Sequence, residues 1–262
     1  DLQGRDRREA LAEWLTAPEN PWFAKNVANR VWQHFLGKGI IEPADDVRVS
    51  NPPSHPDLLD ALGAKLVEYE FDLKRLIRDI ANSYTYQQGT QPRDPSLRDE
   101  RNFAFAPIRR LPSEQLLDAI SQVTDSSVKF AALPQGARAA EVANGDPGNY
   151  FLKVFGRPLR ESACTCERRN EPTLAQSLHL INGSTIEQAI KTGDGALAKA
   201  LAAEKPLAEV VNDLYLAAYC RPPTDTERQT VEQYVNESEN LQLAMEDVYW
   251  SVLNSKEFVF NH

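Results

Sequence analysis

Cysteine is scarce in this chain: three in 262 residues, an odd number that cannot by itself make a disulfide framework. Long apolar runs are missing too. None approaches the roughly 20 residues that a membrane span requires, so no membrane insertion is expected of this segment. The charge lacks a basic excess; a net −9 argues against a general nucleic-acid binder, which carries a basic face, and against attraction to an anionic membrane surface. Also absent are G-x-x-x-x-G-K-[ST], G-x-G-x-x-G and G-x-S-x-G, which removes support for phosphate-cradling, dinucleotide-binding and nucleophile-elbow chemistry. No C-x-x-C-H site for c-type haem occurs, since Cys164-Thr-Cys166 is followed by Glu. No cofactor is therefore expected. His34 and His55 fall in none of the helical zinc-site spacings. Internal repeats, heptads and low-complexity tracts are lacking. The chain opens on DLQGRDRREAL without an initiator Met and reads as part of something longer, so a missing signal peptide says nothing about compartment.

What remains is an ordinary globular composition, 42% hydrophobic and 26% charged, long enough for one large domain or two small ones. Helical periodicity with caps or breakers marks 5–17, 20–37, 56–70, 72–84 and 113–124. It returns over 172–182, 184–191, 196–204, 207–219, 225–237 and 241–254. Between them, 125–171 has no helical period, and its apolar run YFLKVFG admits a brief strand. The expected class is all-α: an irregular multi-helix domain with long loops, one extended middle section, and at most a minor short strand pair. We expect one domain over 1–262, divisible into a helical half 1–125, an irregular section 126–171 and a helical half 172–262.

The most organised stretch is 20–62. Asn20 before Pro21 reads as an N-cap, and Phe23, Val27, Val31 and Phe35 as an apolar face; Gly37 and Gly39 stop the helix. Ser54 with Asp57 reads as a capping box for the next helix. In the amphipathic helix before it, Leu11, Trp14 and Leu15 are expected to face inward. Asn26, Asn29, Arg30 and Gln33 form a polar stripe. Either it walls a pocket in which Arg30 grips a carboxylate or sulfate, or Arg30 pairs with Asp45 or Asp46 and pins the following loop.

Chemistry is densest in 155–183, FGRPLRESACTCERRNEPTLAQSLHLING. Three readings stand side by side. Cys164 and Cys166 offer two soft metal ligands but lack a second pair. Glu161 and Glu167 could act as paired carboxylates, or a thiol could be activated by a nearby arginine. The third reading is structural, with Arg157, Arg160 and Arg168 tying an irregular segment to its flanks and the cysteines buried as small residues. No metal is expected. The candidate pocket comprises Arg30, Arg157, Arg160, Glu161, Cys166, Glu167 and Arg168, without catalytic roles assigned.

NPWFAKNVANRVWQHFLGKGI, the DD pair, PSHPDLLDAL, RRLPSEQLLDAI, the dense stretch, RPPTDTE and the terminal NSKEFVFNH together resemble the planctomycete-type C-terminal domain of unknown function 1553. The resemblance implies helical structure and an exported parent protein with a cytochrome-c-like domain and a second uncharacterised domain upstream. It carries no established activity or catalytic residues. Two functions follow as expectations. One is a non-catalytic interaction or scaffold module of the cell envelope, whose partners are the upstream domains. The alternative is a polysaccharide-binding or polysaccharide-processing module, for sulfated chains among others, using an Arg/Glu-rich pocket.

Overall fold

The structure is a computed structural model and describes residues 4, 6–92, 100–131, 133–143, 148–159, 161 and 173–261. Among these residues the architecture is all-α with one two-stranded sheet, β1 (Arg109–Arg110) beside β2 (Phe260–Asn261). By contact density the chain divides into two compact units at Arg109/Arg110.

In unit 1, α2 (Phe23–Leu36) lies along α3 (Pro56–Glu68) and α4 (Leu73–Ala81). It starts later than the Asn20–Pro21 reading has it: Phe23 is the first helical residue and Trp22 takes the cap position. In the turn before it, Asn20 Oδ1 accepts from the N–H groups of Trp22 and Phe23, both at 3.0 Å. The deeply buried side chains of α2 are Ala24, Ala28, Trp32 and Leu36, with Asn29. The Phe23–Phe35 ladder runs beside them, half-buried. Both rows repeat every four residues, so period alone does not say which one faces the core. Leu59, Leu66, Leu76 and Ile80 close this core from α3 and α4. The Ser54–Asp57 box does not form. Pro56 takes the first helical position and His55 the cap, while the Ser54 N–H and hydroxyl both donate to the Ile40 carbonyl, at 2.8 and 3.1 Å.

Helix α1 (Arg7–Thr16) departs from expectation more sharply. Asp6 caps it, but no residue in it is buried, and Leu11 and Trp14 are 53% and 59% exposed. Of the three residues expected to face inward, only Leu15 is half-buried, where α1 meets α2; Leu11 and Trp14 stay open.

In unit 2, α5 (Ser113–Thr124) is the central helix. Its face of Leu116, Leu117, Ile120 and Val123 packs against α6 (Tyr150–Val154), α8 (Ser184–Ile190), α9 (Ala196–Ala202) and α10 (Leu207–Tyr219). The last helices, α11 (Asp225–Glu237), α12 (Leu241–Leu253) and the short α13 (Lys256–Val259), complete the core. The YFLKVFG run is helical, not a strand. Asn149 Oδ1 accepts from Leu152 N–H at 3.1 Å, and Phe151, Leu152 and Phe155 then fall on one buried face, with Phe151 stacked on Phe155 at 4.2 Å. The spacing i, i+1, i+4 in a short apolar run serves a helix as well as a strand, and the cap decides. Helix α7 (Leu174–Asn182) opens on a capping box between Thr173 and Gln176, and α11 on one between Thr224 and Glu227.

Candidate functional site

The polar stripe of α2 grips the loop that follows the helix. Asn29, fully buried, donates from Nδ2 to the Ile41 carbonyl and accepts from the Ile41 N–H, both at 3.0 Å. A side-chain amide thus pairs with backbone as a neighbouring strand would. Gly39 permits the approach, since a Cβ there would come within 2.2 Å of the Ile41 carbonyl oxygen and 3.2 Å of the Asn29 amide. Arg30 donates to Asp45 and to Asn26 Oδ1, with both charged side chains nearly half exposed. Asn26 Nδ2 reaches the Ala44 carbonyl at 3.4 Å. The Glu42 carboxylate accepts from Gly39 N–H at 2.7 Å and, more loosely, from Gln33 Nε2.

Where α2 ends, a cleft of about 240 Å³ opens, lined by Lys38, Glu42, Phe103, Phe105, Pro107 and Arg109 among others. Arg109 forms its floor at the helix terminus. Its Nη1 and Nη2 donate to the carbonyls of His34 (3.0 Å) and Phe35 (2.7 Å). Those carbonyls belong to the last turn of α2, which has no intrahelical donors for them. Burial holds the Arg109 guanidinium below the usual arginine range. Gly37, at φ 80°, turns the chain there, and a Cβ on it would meet Arg109 Cδ at 2.7 Å. Sequence reasoning passed over Glu42, Phe103, Phe105 and Arg109. The Gly37-Lys38-Gly39 turn and the doubled arginine were visible, but their meeting across some seventy residues was not.

In unit 2, Arg157 is buried, 7% exposed. It donates from Nη1 to the Ala139 carbonyl at 3.1 Å and from Nη2 to the Val142 carbonyl, with Glu114 at 3.9 Å. Its guanidinium therefore fastens the turn Ala139–Glu141. Glu161 is exposed. Arg160, Cys164, Cys166, Glu167 and Arg168 lie outside the described residues, so the structure brings together only part of the expected cluster. Cys220 is exposed, in a left-handed conformation at the end of α10. Among the described residues no three of His, Cys, Asp and Glu are grouped to hold a metal, and no helix is long and apolar enough to cross a membrane.

Two further polar groups define unit 2. His179 sits against Tyr150, Phe151 and Phe155, and its Nε2 lies 3.0 Å from Thr185 Oγ1; burial pushes its pKa down, which favours the neutral ring. Arg221 is held by two carboxylates. Nε and Nη2 donate to Glu257 at 2.7 Å, while Nη1 and Nη2 donate to Glu227 at 2.9 Å. The same guanidinium lies over the Tyr219 and Tyr215 rings. Glu227 is lowered to about 2, chiefly by Arg221 and also by Thr224. Arg221, Thr224 and Glu227 all belong to the RPPTDTE segment, and with Glu257 their geometry is that of a clasp joining the end of α10 to α11 and α13.

With that geometry in place, residues 7–235 match the sequence family described as "Protein of unknown function (DUF1553)". The chain belongs to the DUF1553 family. No curated protein and no solved structure matches it. The DUF1553 match stops at residue 235 and so leaves out the terminal NSKEFVFNH segment. That segment is still tied to the matched region, because its Glu257 takes two hydrogen bonds from Arg221.

Proposed function

We propose that this DUF1553 chain is a non-catalytic interaction module within a larger exported protein of the cell envelope, and that its partners are upstream domains of the same polypeptide. The observation that carries the reading is α1. Ten residues with no buried side chain, Leu15 half-buried and Leu11 and Trp14 exposed are few for a helix in water, and α1 has its contact with α2 as support. The exposed Leu11 and Trp14 suit a partner that covers them. The use of charge in unit 2 agrees, since Arg157 and Arg221 are engaged in fastening backbone and helices. Placement outside the cytoplasm, in the periplasm or at the cell surface, and a cytochrome-c-like neighbour belong to the same proposal and rest on the family resemblance. The test is hydrogen exchange of this chain with and without the upstream region supplied as a separate polypeptide. Protection should appear in α1 and vanish in L11E/W14E; unchanged exchange in α1 rejects the reading.

A second reading, a polysaccharide-binding or polysaccharide-processing module, is favoured by the cleft of unit 1. Its lining combines aromatic faces with a lysine, an arginine and a carboxylate, the mixture that small polar ligands with one apolar face require. It does not depend on Arg157, whose guanidinium is buried. Affinity electrophoresis through gels cast with sulfated and uronic polysaccharides should show retardation; equal mobility in all of them removes this reading.

A further inference from the structure

We infer that the cleft at the end of α2 binds a single anionic sugar unit, a uronate or a sulfated ring, an assignment that rests on the polysaccharide reading. Size comes first. At about 240 Å³ the cleft falls below the roughly 300–1,000 Å³ that enclose drug-sized ligands, which limits its occupant to about one ring. Its walls supply both faces that a sugar presents. Phe103 is locked edge-on to Trp32 at 5.3 Å, and the half-buried Phe105 and Pro107 extend the apolar side for the C–H face of a ring.

Charge selects the class. Lys38 and Arg109 stand against the single carboxylate of Glu42, leaving the lining net positive by one. A helix C-terminus ordinarily repels an anion. Here both terminal nitrogens of Arg109 already donate to the last carbonyls of α2 and neutralise that end. Lys38 has no hydrogen-bond or ion-pair partner among the described residues, so its ammonium is available to a carboxylate or sulfate. Glu42, with one oxygen used by Gly39 N–H, keeps acceptor capacity for a ring hydroxyl. Arg109 Nε is buried without a hydrogen-bond partner. It lies beside Gly37, 3.0 Å from where a Cβ would stand, and Gly37 and Arg109 share the wall of the cleft. The two are packed too closely for a ligand oxygen to enter between them, so the anion is met by Lys38 and not by Arg109 Nε.

The test is isothermal titration with D-glucuronate, D-glucose 6-sulfate and D-glucose, on wild type, K38Q, E42Q and F105A, each checked for an unchanged helical spectrum. The anionic sugars should bind saturably and more tightly than glucose. K38Q should weaken them about tenfold, the effect of losing about 1.4 kcal/mol, and bring them level with glucose; F105A should weaken all three. Retardation by a polysaccharide gel that K38Q, E42Q and F105A leave unaltered overturns this site while the polysaccharide reading stands. Glucose binding as well as glucuronate overturns the choice of an anionic sugar. Neither a saturable titration nor gel retardation overturns both.

Discussion

The two units fix irregular backbone by opposite means. In unit 1 the group buried beside the irregular loop is the neutral amide of Asn29. The charged residues around it, Arg30, Lys38, Glu42 and Asp45, stay at or near solvent. In unit 2 the buried group is a full guanidinium, Arg157, and a second, Arg221, is clasped between two carboxylates. A buried amide needs only its own two hydrogen bonds, whereas a buried cation needs several acceptors or a counter-charge before its desolvation is offset. Around this loop unit 1 therefore leaves Lys38 free to meet a ligand, although Arg109 is committed to the end of α2, and unit 2 commits Arg157 and Arg221 to the fold. The contrast makes Arg157 and Arg221 electrostatically sensitive and the charges beside the α2 loop cheap to alter.

The largest expected effect is at Arg157. Replacing it with Met leaves the Ala139 and Val142 carbonyls without its hydrogen bonds and removes the guanidinium near Glu114. Urea unfolding should show a loss of about 3–5 kcal/mol, the range for breaking a buried charged group's partnerships. A loss below about 1 kcal/mol would erase the distinction between the units.

Next comes pH. Glu227 is lowered from 4.5 to about 2 by Arg221 and Thr224, so the folded state favours its ionised form. The stabilisation is fully present above the unfolded value and fades as pH falls from about 5 through about 2. Its side chain is 30% exposed, and solvent screening trims the contribution to about 2 kcal/mol. E227Q should be less stable than wild type by that amount at pH 7 and should converge on it by pH 2. A gap that stays constant with pH would show that the clasp works by shape and not by charge.

The all-α class was legible because capped helices repeat along most of the chain, and 113–124, 207–219 and 225–237 begin and end where periodicity and breakers put them. The Thr224–Glu227 box was legible for a local reason: both partners sit within one turn. What escaped was whatever depended on distant partners. Arg109 meets α2 from the far end of unit 1, and Arg221 meets Glu257 across 36 residues. Trp14 lies on a well-patterned stripe, yet pattern says nothing of whether another element arrives to cover it. The Phe23–Phe35 ladder is the apolar face that its period predicts, since Val27, Val31 and Phe35 pack against the core, but Ala24, Ala28, Trp32 and Leu36 repeat with the same period and hold the deeper position. Of the candidate pocket, Arg30 and Arg157 turn out to be in different units.

Asn29→Ala tests the neutral half of the comparison. It removes two hydrogen bonds and strands the N–H and carbonyl of Ile41, itself 5% exposed. The cost should be about 2 kcal/mol in thermal or urea unfolding, with faster hydrogen exchange at Ile41. A cost near zero would mean that the loop is held by its apolar residues, Ile40 and Ile41, and not by the amide.

The smallest effect should come from Arg30, although its ion pair with Asp45 is the most conspicuous contact in the loop. Were that carboxylate partly buried, losing Arg30 would cost on the order of 3 kcal/mol. The structure lowers the figure. Arg30 and Asp45 are 45% and 43% exposed at the side chain, so water screens the pair and can solvate whichever partner remains. Exposed pairs of this kind contribute about 0–1 kcal/mol. Arg30→Leu should therefore melt within about 1 kcal/mol of wild type, and the difference should shrink further in 1 M salt, where the screening length falls to about 3 Å. A loss as large as that of Asn29→Ala, insensitive to salt, would place Arg30 among the residues that hold the loop and would make unit 1 depend on charge as unit 2 does.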